Sequence, residues 1–412
     1  MTASPRPGYH HGTLRSIRRF ALPSILLAAA ASTVVAGAAF GYTPPPLMKA
    51  DVNLQDSNTC KACHLDITEQ WEHSAHSKAD RNKNELFGRM YFFSLKQTRG
   101  ATLIACGPCH ETASFVNQDF EGLRDVSKEG VTCVYCHSIS GPGDPKGIPP
   151  YLIDLTAYQG TIRTPTPTKS HKSAYSGYLT KADYCGSCHN YSNQHGVKIG
   201  DTYGEWQRSV YAKQGVTCQS CHMPGGPGRN SSEGPARPRV ADHSFDHDAL
   251  AKARPNATKL ALTGARNGAD SVRVYATLTN SGWGHSMPTG NDQNLVLLRI
   301  RALDSTGKIL WENDPFTEWS VSIFGIVLAD ELGTWPADTW NATKTLSNRR
   351  IKAGASARVR YDIPTAGAKG PITIQAHALY RQSKPVTLEA YGLSEEQYGQ
   401  ERTLAEATAK VP

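Results

Sequence analysis

Every cysteine of the chain belongs to one short motif, two cysteines three positions apart followed directly by a histidine. The motif occurs five times, and no cysteine is left over. Its copies are Cys60, Cys63 and His64; Cys106, Cys109 and His110; Cys133, Cys136 and His137; Cys185, Cys188 and His189; and Cys218, Cys221 and His222. Two thiols on one turn can form thioethers with the vinyl groups of a haem, and the next imidazole can bind its iron. The sequence therefore predicts five covalently bound haem c groups.

Zinc and disulfides are the competing interpretations of these cysteines. A zinc ribbon also uses paired cysteines, but it does not require a histidine after every pair. Disulfides are common in exported proteins, yet bridges within such short pairs are usually redox-active and would constrain little of the chain. Haem attachment explains the cysteines and the histidines together, so we favour it over both alternatives.

The second axial position of each iron decides the chemistry, because a second histidine gives an electron carrier and an empty position can bind substrate. From the surroundings of the remaining histidines we expect five of them to be axial ligands. They are His76, His171, His195, His243 and His285. His76 follows Trp71, which indicates an inward-facing side, whereas His73 is expected on the solvated side. The 12 residues from His64 to His76 would span about 18 Å as a helix, so His76 should bind a different iron.

The chain changes character near residue 255. The motifs lie between residues 60 and 222, joined by segments rich in glycine and proline, which predicts a mainly helical and irregular haem-wrapped domain over residues 40–250. Beyond it, apolar and polar residues alternate, as in "VRVYATL" from Val272 to Leu278. Several short strands with polar turns predict an antiparallel β-sandwich over residues 255–390. We expect a helical tail over residues 391–412, and His285 would lie on a sandwich loop that reaches back to a haem.

The haem-binding part contains a repeat. "GVTCVYCH" at residues 130–137 recurs as "GVTCQSCH" at residues 215–222, and "EQWEHSAH" at residues 69–76 is echoed by "GEWQRSVY" at residues 204–211. Duplication of one haem-binding unit explains both pairs. It predicts that His76 and Tyr211 occupy related positions.

The beginning of the chain resembles a secretory signal. Arg15, Arg18 and Arg19 lie just before "FALPSILLAAAASTVVAGAAF", an uncharged apolar run that ends in small residues, so we expect a signal peptide over residues 1–39. An uncleaved anchor is the alternative, because the run is about 20 residues long. Export places the protein in the periplasm or outside the cell, with no integral membrane span after cleavage. The formal charge of +8 includes four arginines of this segment and no block of like charges, so no nucleic-acid partner is expected.

The motif sequences resemble those of the multihaem c-type cytochromes that include the tetrahaem electron carrier of ammonia oxidisers. The resemblance rests on "CKACHLDITEQWEHSAH", "EGVTCVYCHSISG", "YCGSCHN" and "GVTCQSCHMP". It implies closely packed haems, electron transfer rather than turnover, and a role for His76 as the cap of a neighbouring haem. Tyr211 departs from the family pattern, which implies that one haem is capped from elsewhere or is open.

The function expected from the sequence is electron transfer between redox partner proteins through mostly bis-histidine haems. One alternative is a reductase of the nitrite or hydroxylamine type with one open haem, although no motif has lysine in place of its histidine. The other alternative is a filament subunit, in which a surplus histidine caps a haem of the next copy. The sequence leaves the donor and the acceptor unidentified.

Overall fold

Residues 55–143, 151–317, 320–365, 367–368 and 370–412 are described by the computed structural model. The expected signal peptide at residues 1–39 lies outside these residues. Within the described ranges, no helix is long and apolar enough to cross a membrane.

The first part of the described chain is built from short helices and irregular segments, as the motif spacing predicts. The helices are α1 (Ser57–Lys61), α2 (Leu65–His73), α3 (Glu85–Gln97), α4 (Thr102–His110), α5 (Thr112–Asn117), α6 (Cys133–Cys136), α7 (Ala182–Gly186), α8 (Thr202–Gln207), α9 (Val210–Lys213), α10 (Cys218–His222) and α11 (His247–Ala253), with 3-10 turns at Asp125–Lys128 and Gly177–Thr180. Three small two-stranded sheets lie among them. They pair β1 (Ile139–Pro142) with β2 (Tyr151–Ile153), β3 (Tyr158–Gly160) with β4 (Ser173–Tyr175), and β5 (Gly225–Arg229) with β6 (Ala236–Ala241).

Each motif forms a single helical turn, which is what brings its two thiols together. In α6, the Thr132 hydroxyl accepts a hydrogen bond from the Tyr135 N–H at 3.2 Å and so fixes the start of the helix at Cys133. The N–H of His137 then donates to the Cys133 carbonyl at 2.9 Å. The same closing bond joins His64 to Cys60, at 2.8 Å. The histidine therefore leaves the turn in a fixed direction relative to the cysteines.

The second part of the chain consists mainly of long antiparallel strands. They are β7 (Thr258–Arg266), β8 (Ser271–Asn280), β9 (Leu295–Leu303), β10 (Ile309–Glu312), β11 (Ile323–Phe324), β12 (Ile326–Ala329), β13 (Lys344–Asn348), β14 (Ser356–Pro364), β15 (Ile372–Arg381) and β16 (Glu401–Val411). One sheet has the order β10-β9-β15-β16, with β11 also paired to β9; another has the order β14-β8-β7; and β12 pairs with β13. The antiparallel strands expected from the alternating sequence are confirmed.

The two larger sheets share one apolar core. Burial alternates strictly along β8, where Val272, Val274, Ala276 and Leu278 point inward. Their neighbours in the core come from β9, β14 and β15 as well, so side chains of both sheets meet in it. This packing is what a β-sandwich requires, and the sandwich remains our interpretation of it.

The expected helical tail is wrong. After β15, the chain is helical only at α12 (Pro385–Tyr391) and α13 (Glu395–Tyr398). Residues 401–411 form β16 along the edge of β15. "TLAEATAK" is rich in alanine, lysine and glutamate, which favour helices in isolation. The unpaired backbone groups of β15 outweigh that weak preference, because they would otherwise form an open sheet edge.

The β region packs directly on the haem-binding region, and the described residues from 55 onward belong to one compact unit. The side-chain amide of Asn193 donates to the carbonyl oxygens of Thr339 and Ala342, at 2.8 and 2.7 Å. The indole N–H of Trp340 donates to Gln97 Oε1 at 2.8 Å. These contacts hold the loops of the β region at a fixed distance from the motifs.

The repeat predicted from the sequence is confirmed by matching hydrogen bonds in both copies. Trp71 Nε1 donates to the Val131 carbonyl and Trp206 Nε1 donates to the Val216 carbonyl, each at 2.8 Å. Each of these valines lies two residues before the first cysteine of a motif, and its N–H donates to the carbonyl of His76 or Tyr211, at 2.9 and 3.0 Å. His76 and Tyr211 therefore occupy related backbone positions.

Removing either indole N–H should destabilise the protein. We expect Trp71→Phe and Trp206→Phe each to lower the free energy of unfolding by about 1–2 kcal/mol, because a valine carbonyl loses its partner. Denaturant titration measures the change. Trp311→Phe is the control, since its indole N–H makes no hydrogen bond within the described chain, and an equal loss in all three variants would contradict the assignment.

Candidate haem-binding site

Four of the five motif histidines face a second histidine at nearly the same distance. The ring centroids are 6.3 Å apart for His64 and His171, 6.2 Å for His189 and His76, 6.4 Å for His137 and His243, and 6.3 Å for His222 and His285. Two imidazoles bound to opposite sides of one iron, each through a nitrogen about 2.0 Å from it, have centroids about 6.3 Å apart. The four pairs therefore fit two axial ligands each, while the porphyrin would supply the other four nitrogens.

Hydrogen bonds orient these imidazoles. Each Nδ1 lies close to a backbone carbonyl oxygen. The distance is 2.6 Å from His137 to Gln159, 2.9 Å from His243 to Ala241, and 2.9 Å from His285 to Ser286. A proton on Nδ1 that is donated to a carbonyl leaves Nε2 free to bind a metal. The second nitrogen of each ring is thus free to bind an iron.

Burial keeps the imidazoles of these histidine pairs neutral. It lowers the pKa of His76 to about 3, that of His222 to about 3 and that of His243 to about 4, with neighbouring imidazoles adding to the shift. A neutral imidazole is the form that binds iron, because protonation would occupy its lone pair. The environment therefore suits ligation at neutral pH.

The structure brings four of the five expected second ligands to a motif histidine: His76, His171, His243 and His285. The fifth, His195, lies exposed on the segment between α7 and α8, and no ring contact joins it to a motif histidine within the described residues. His73 is exposed at the end of α2, as expected. Sequence reasoning passed over His247, the first residue of α11, whose ring meets His222 edge-on at 5.7 Å and 85°. That angle distinguishes it from the near-parallel His285, at 20°.

The second motif differs from the others. Within the described residues, His110 has no second histidine at the bridging distance, and its imidazole stacks on Phe87 at 4.1 Å. Burial lowers the pKa of His110 to about 4. Beside it, a buried ion pair joins Arg81 to Glu111 at 3.0 Å, and Arg81 also donates to the Tyr91 hydroxyl at 2.7 Å.

Tyr211 has a different task from its counterpart His76. A Cβ atom added at Gly284 would lie 3.5 Å from the Tyr211 ring, so the ring packs against the loop that carries His285. The second copy of the repeat therefore supports the loop that carries His285, and it has a tyrosine where the first copy has His76. His285 reaches the motif at His222 from that loop, as expected from the sequence.

The five motifs contact one another in a definite order. Three pairs of thiols from different motifs influence each other's pKa: Cys60 with Cys133, Cys109 with Cys188, and Cys185 with Cys218. The third and fourth motifs are joined by the Tyr184 hydroxyl, which donates to the Cys136 carbonyl at 2.9 Å. None of the ten cysteines forms a disulfide. Among the described residues, no group of three or more His, Cys, Asp and Glu side chains could hold a metal ion by itself.

Comparison with known proteins matches part of the sequence and most of the fold. Residues 59–138, which include the first three motifs, match the family model of cytochrome c554 and c-prime. No curated protein matches the sequence. Among solved structures, a penta-haem cytochrome c552 from Thermochromatium tepidum is similar with a TM-score of 0.69 and 22% identity, over 86% of this chain and 98% of that chain. At that identity the likeness shows a shared fold.

Two further structures resemble only a part of the chain. The C-terminal domain of Wzt has 8% identity over 38% of this chain and 74% of its own, with a TM-score of 0.20. A collagen-binding domain from a Staphylococcus aureus adhesin has 11% identity over 37% of this chain and 95% of its own, with a TM-score of 0.15. These scores are too low to carry an argument.

Proposed function

We propose that the protein is an exported pentahaem c-type cytochrome that passes electrons between redox partner proteins in the periplasm or outside the cell. The four histidine pairs at the spacing of axial ligands carry this proposal. The fold shared with a penta-haem cytochrome and the partial family match support it. When bound, the haems would accept and release single electrons.

The histidine pairs favour electron transfer over turnover. An imidazole on each side of the iron leaves no position for a substrate, and the pair would hold both ligands in place in either oxidation state. Desolvation lowers the pKa of His76 and His243, so both rings are neutral and their lone pairs are available to a metal. The chain thus supplies ligands, spacing and an environment of low polarity, which set the potential of each site.

We infer a route from the contacts between motifs. It runs from the first motif to the third through Cys60 and Cys133, then to the fourth through Tyr184, and on to the fifth through Cys185 and Cys218. The second motif joins the fourth through Cys109 and Cys188. The fourth motif is therefore the junction of the proposed route.

Electron counting and turnover assays test the proposed function together. We expect the fully reduced holoprotein to return five electrons to a chemical oxidant, since each covalent haem contributes one. Steady-state consumption of nitrite or hydroxylamine should be absent. Sustained consumption of either compound would contradict the carrier and favour the reductase.

A second candidate function, reduction of nitrite or hydroxylamine, is favoured by one observation. Only the second motif lacks a histidine partner within the described chain, so its haem would have an open axial position. A high-spin signal that disappears when nitrite is added would support this function, provided that His110→Met abolishes the response. The filament alternative has weaker support, from the exposed His195, and a monomer on size-exclusion chromatography would exclude capping between copies.

A further inference from the structure

The residue before each repeated tryptophan makes the same contact in both copies of the repeat. Gln70 precedes Trp71 on α2, and Glu205 precedes Trp206 on α8. Adjacent residues on a helix point about 100° apart, so each helix can support two different segments at once. The tryptophan of each pair holds the segment before a motif, as described above.

In the first copy, the other segment is the loop that carries a second axial ligand. Gln70 Oε1 accepts a hydrogen bond from the backbone N–H of His243 at 2.9 Å. His243 faces His137 of the third motif, and Trp71 holds the backbone just before that same motif. One turn of α2 therefore supports both histidines of one pair.

The second copy repeats the arrangement at the fifth motif. Glu205 Oε2 accepts hydrogen bonds from the Ser286 N–H at 3.2 Å and from the Thr289 hydroxyl at 2.6 Å. Ser286 follows His285, which faces His222, and Trp206 holds the segment before that motif. The helix again supports both sides of one pair, although its distal loop now belongs to the β region.

The two copies differ in charge. Gln70 is neutral, whereas the Glu205 carboxylate lies 3.3 Å from the Arg350 guanidinium, with side chains only 7% and 2% exposed. Arg350 also donates to the carbonyl oxygens of Gly290 and Asn291, at 3.0 and 2.6 Å, on the loop that carries His285. A buried charge acts on its surroundings through a low dielectric, so it influences a nearby redox centre more than an exposed charge does.

We propose that Gln70 and Glu205 are positioning residues for the second axial ligands of the third and fifth haems, and that the charge of the side chain at each position tunes the reduction potential of its haem. The inference rests on the proposed function, because it takes His243 and His285 as ligands. Each residue holds the backbone of a ligand loop through a side-chain oxygen. Only Glu205 places a buried carboxylate against its ligand loop, where it balances the charge of Arg350. Without that carboxylate the Arg350 guanidinium would be unpaired beside the loop, which favours the reduced state of the haem.

Two kinds of variant of the full-length holoprotein separate position from charge. In Gln70→Ala and Glu205→Ala the ligand loop loses its support, so one haem of the five should lose or alter its low-spin signal in electron paramagnetic resonance, with all five haems still attached. Glu205→Gln and Gln70→Glu keep the acceptor oxygen and should stay low-spin. In redox titrations, Glu205→Gln should raise the potential of one haem, and Gln70→Glu should lower the potential of one haem.

Controls distinguish this inference from the ligand assignment beneath it. Glu69→Gln removes an exposed carboxylate one residue before Gln70 and should change neither signal nor potential. The inference would be overturned if Gln70→Ala and Glu205→Ala left every low-spin signal unchanged. It would also be overturned if Glu205→Gln and Gln70→Glu shifted no reduction potential, or shifted it no more than Glu69→Gln does. If the alanine variants fail to fold, the charge swaps decide. If His243→Ala and His285→Ala leave every haem low-spin, the ligand assignment is wrong and so is the inference. If these two variants change the spin state of a haem but the Gln70 and Glu205 variants change neither spin state nor potential, only the inference is wrong.

Discussion

Replacing His76 with alanine should convert the haem held by Cys185, Cys188 and His189 from low-spin to high-spin, while the haem held by Cys60 and Cys63 keeps its signal. The His76 ring lies 6.2 Å from that of His189, the spacing of two axial ligands. The residue is half-buried, and no other histidine stands opposite His189 at that distance within the described residues. One of the five haems should therefore lose its sixth ligand.

Electron paramagnetic resonance of the oxidised variant measures this change, and a second background assigns it. In a Cys185→Ser, Cys188→Ser chain, which cannot attach the fourth haem, the His76→Ala substitution should have no further effect on spin state. His73→Ala is the matched control, because His73 is exposed three residues away and its Nδ1 lies 2.7 Å from the backbone oxygen of Glu69 on its own helix. A His76→Ala protein with unchanged signals, or with a change confined to the first haem, would contradict the assignment.

Replacing Val411 with aspartate should destabilise the β region by at least about 3 kcal/mol, because the substitution loses a buried apolar side chain and buries a carboxylate without a partner. Val411 is 0% exposed, belongs to the core shared by the two sheets, and pairs with Ile372, the first residue of β15. The free energy of unfolding in denaturant measures the loss.

The neighbouring residue provides the control for that variant. Lys410 lies on the same strand with its side chain exposed, so Lys410→Asp should change the free energy of unfolding by less than about 0.5 kcal/mol. A helical or solvated tail would make the two substitutions nearly equivalent. Equal effects at residues 410 and 411 would therefore contradict the strand.

The motifs were predictable because their chemistry is local. Three residues of one turn would supply both thioethers and the first axial ligand of a haem, so spacing alone picks out Cys133, Cys136 and His137 as candidates. The repeat was predictable for a similar reason, since matching letters preserved matching hydrogen bonds at Trp71 and Trp206. Alternation along Val272–Leu278 identified a strand because one of its faces is buried.

Which histidines lie opposite a motif histidine depends on distances in the folded chain, and a sequence gives little information about such distances. His76 was recognisable from its place beside Trp71, and His285 from a loop with glycine and proline. Nothing local distinguished His195, which is exposed, or His247, which meets His222 edge-on. The prediction of a helical tail was wrong for a related reason. Pairing with β15 determines the conformation of the tail, and β15 lies 20 or more residues earlier in the chain.

Spin quantification of the fully oxidised holoprotein, combined with a count of attached haems, tests the account most directly. The proposed structure of the site predicts five covalent haems per chain, of which at least four are low-spin with two histidine ligands, and the haem held by Cys106, Cys109 and His110 is the one that can differ. Fewer than five attached haems, or two or more high-spin haems in the unmodified protein, would contradict it.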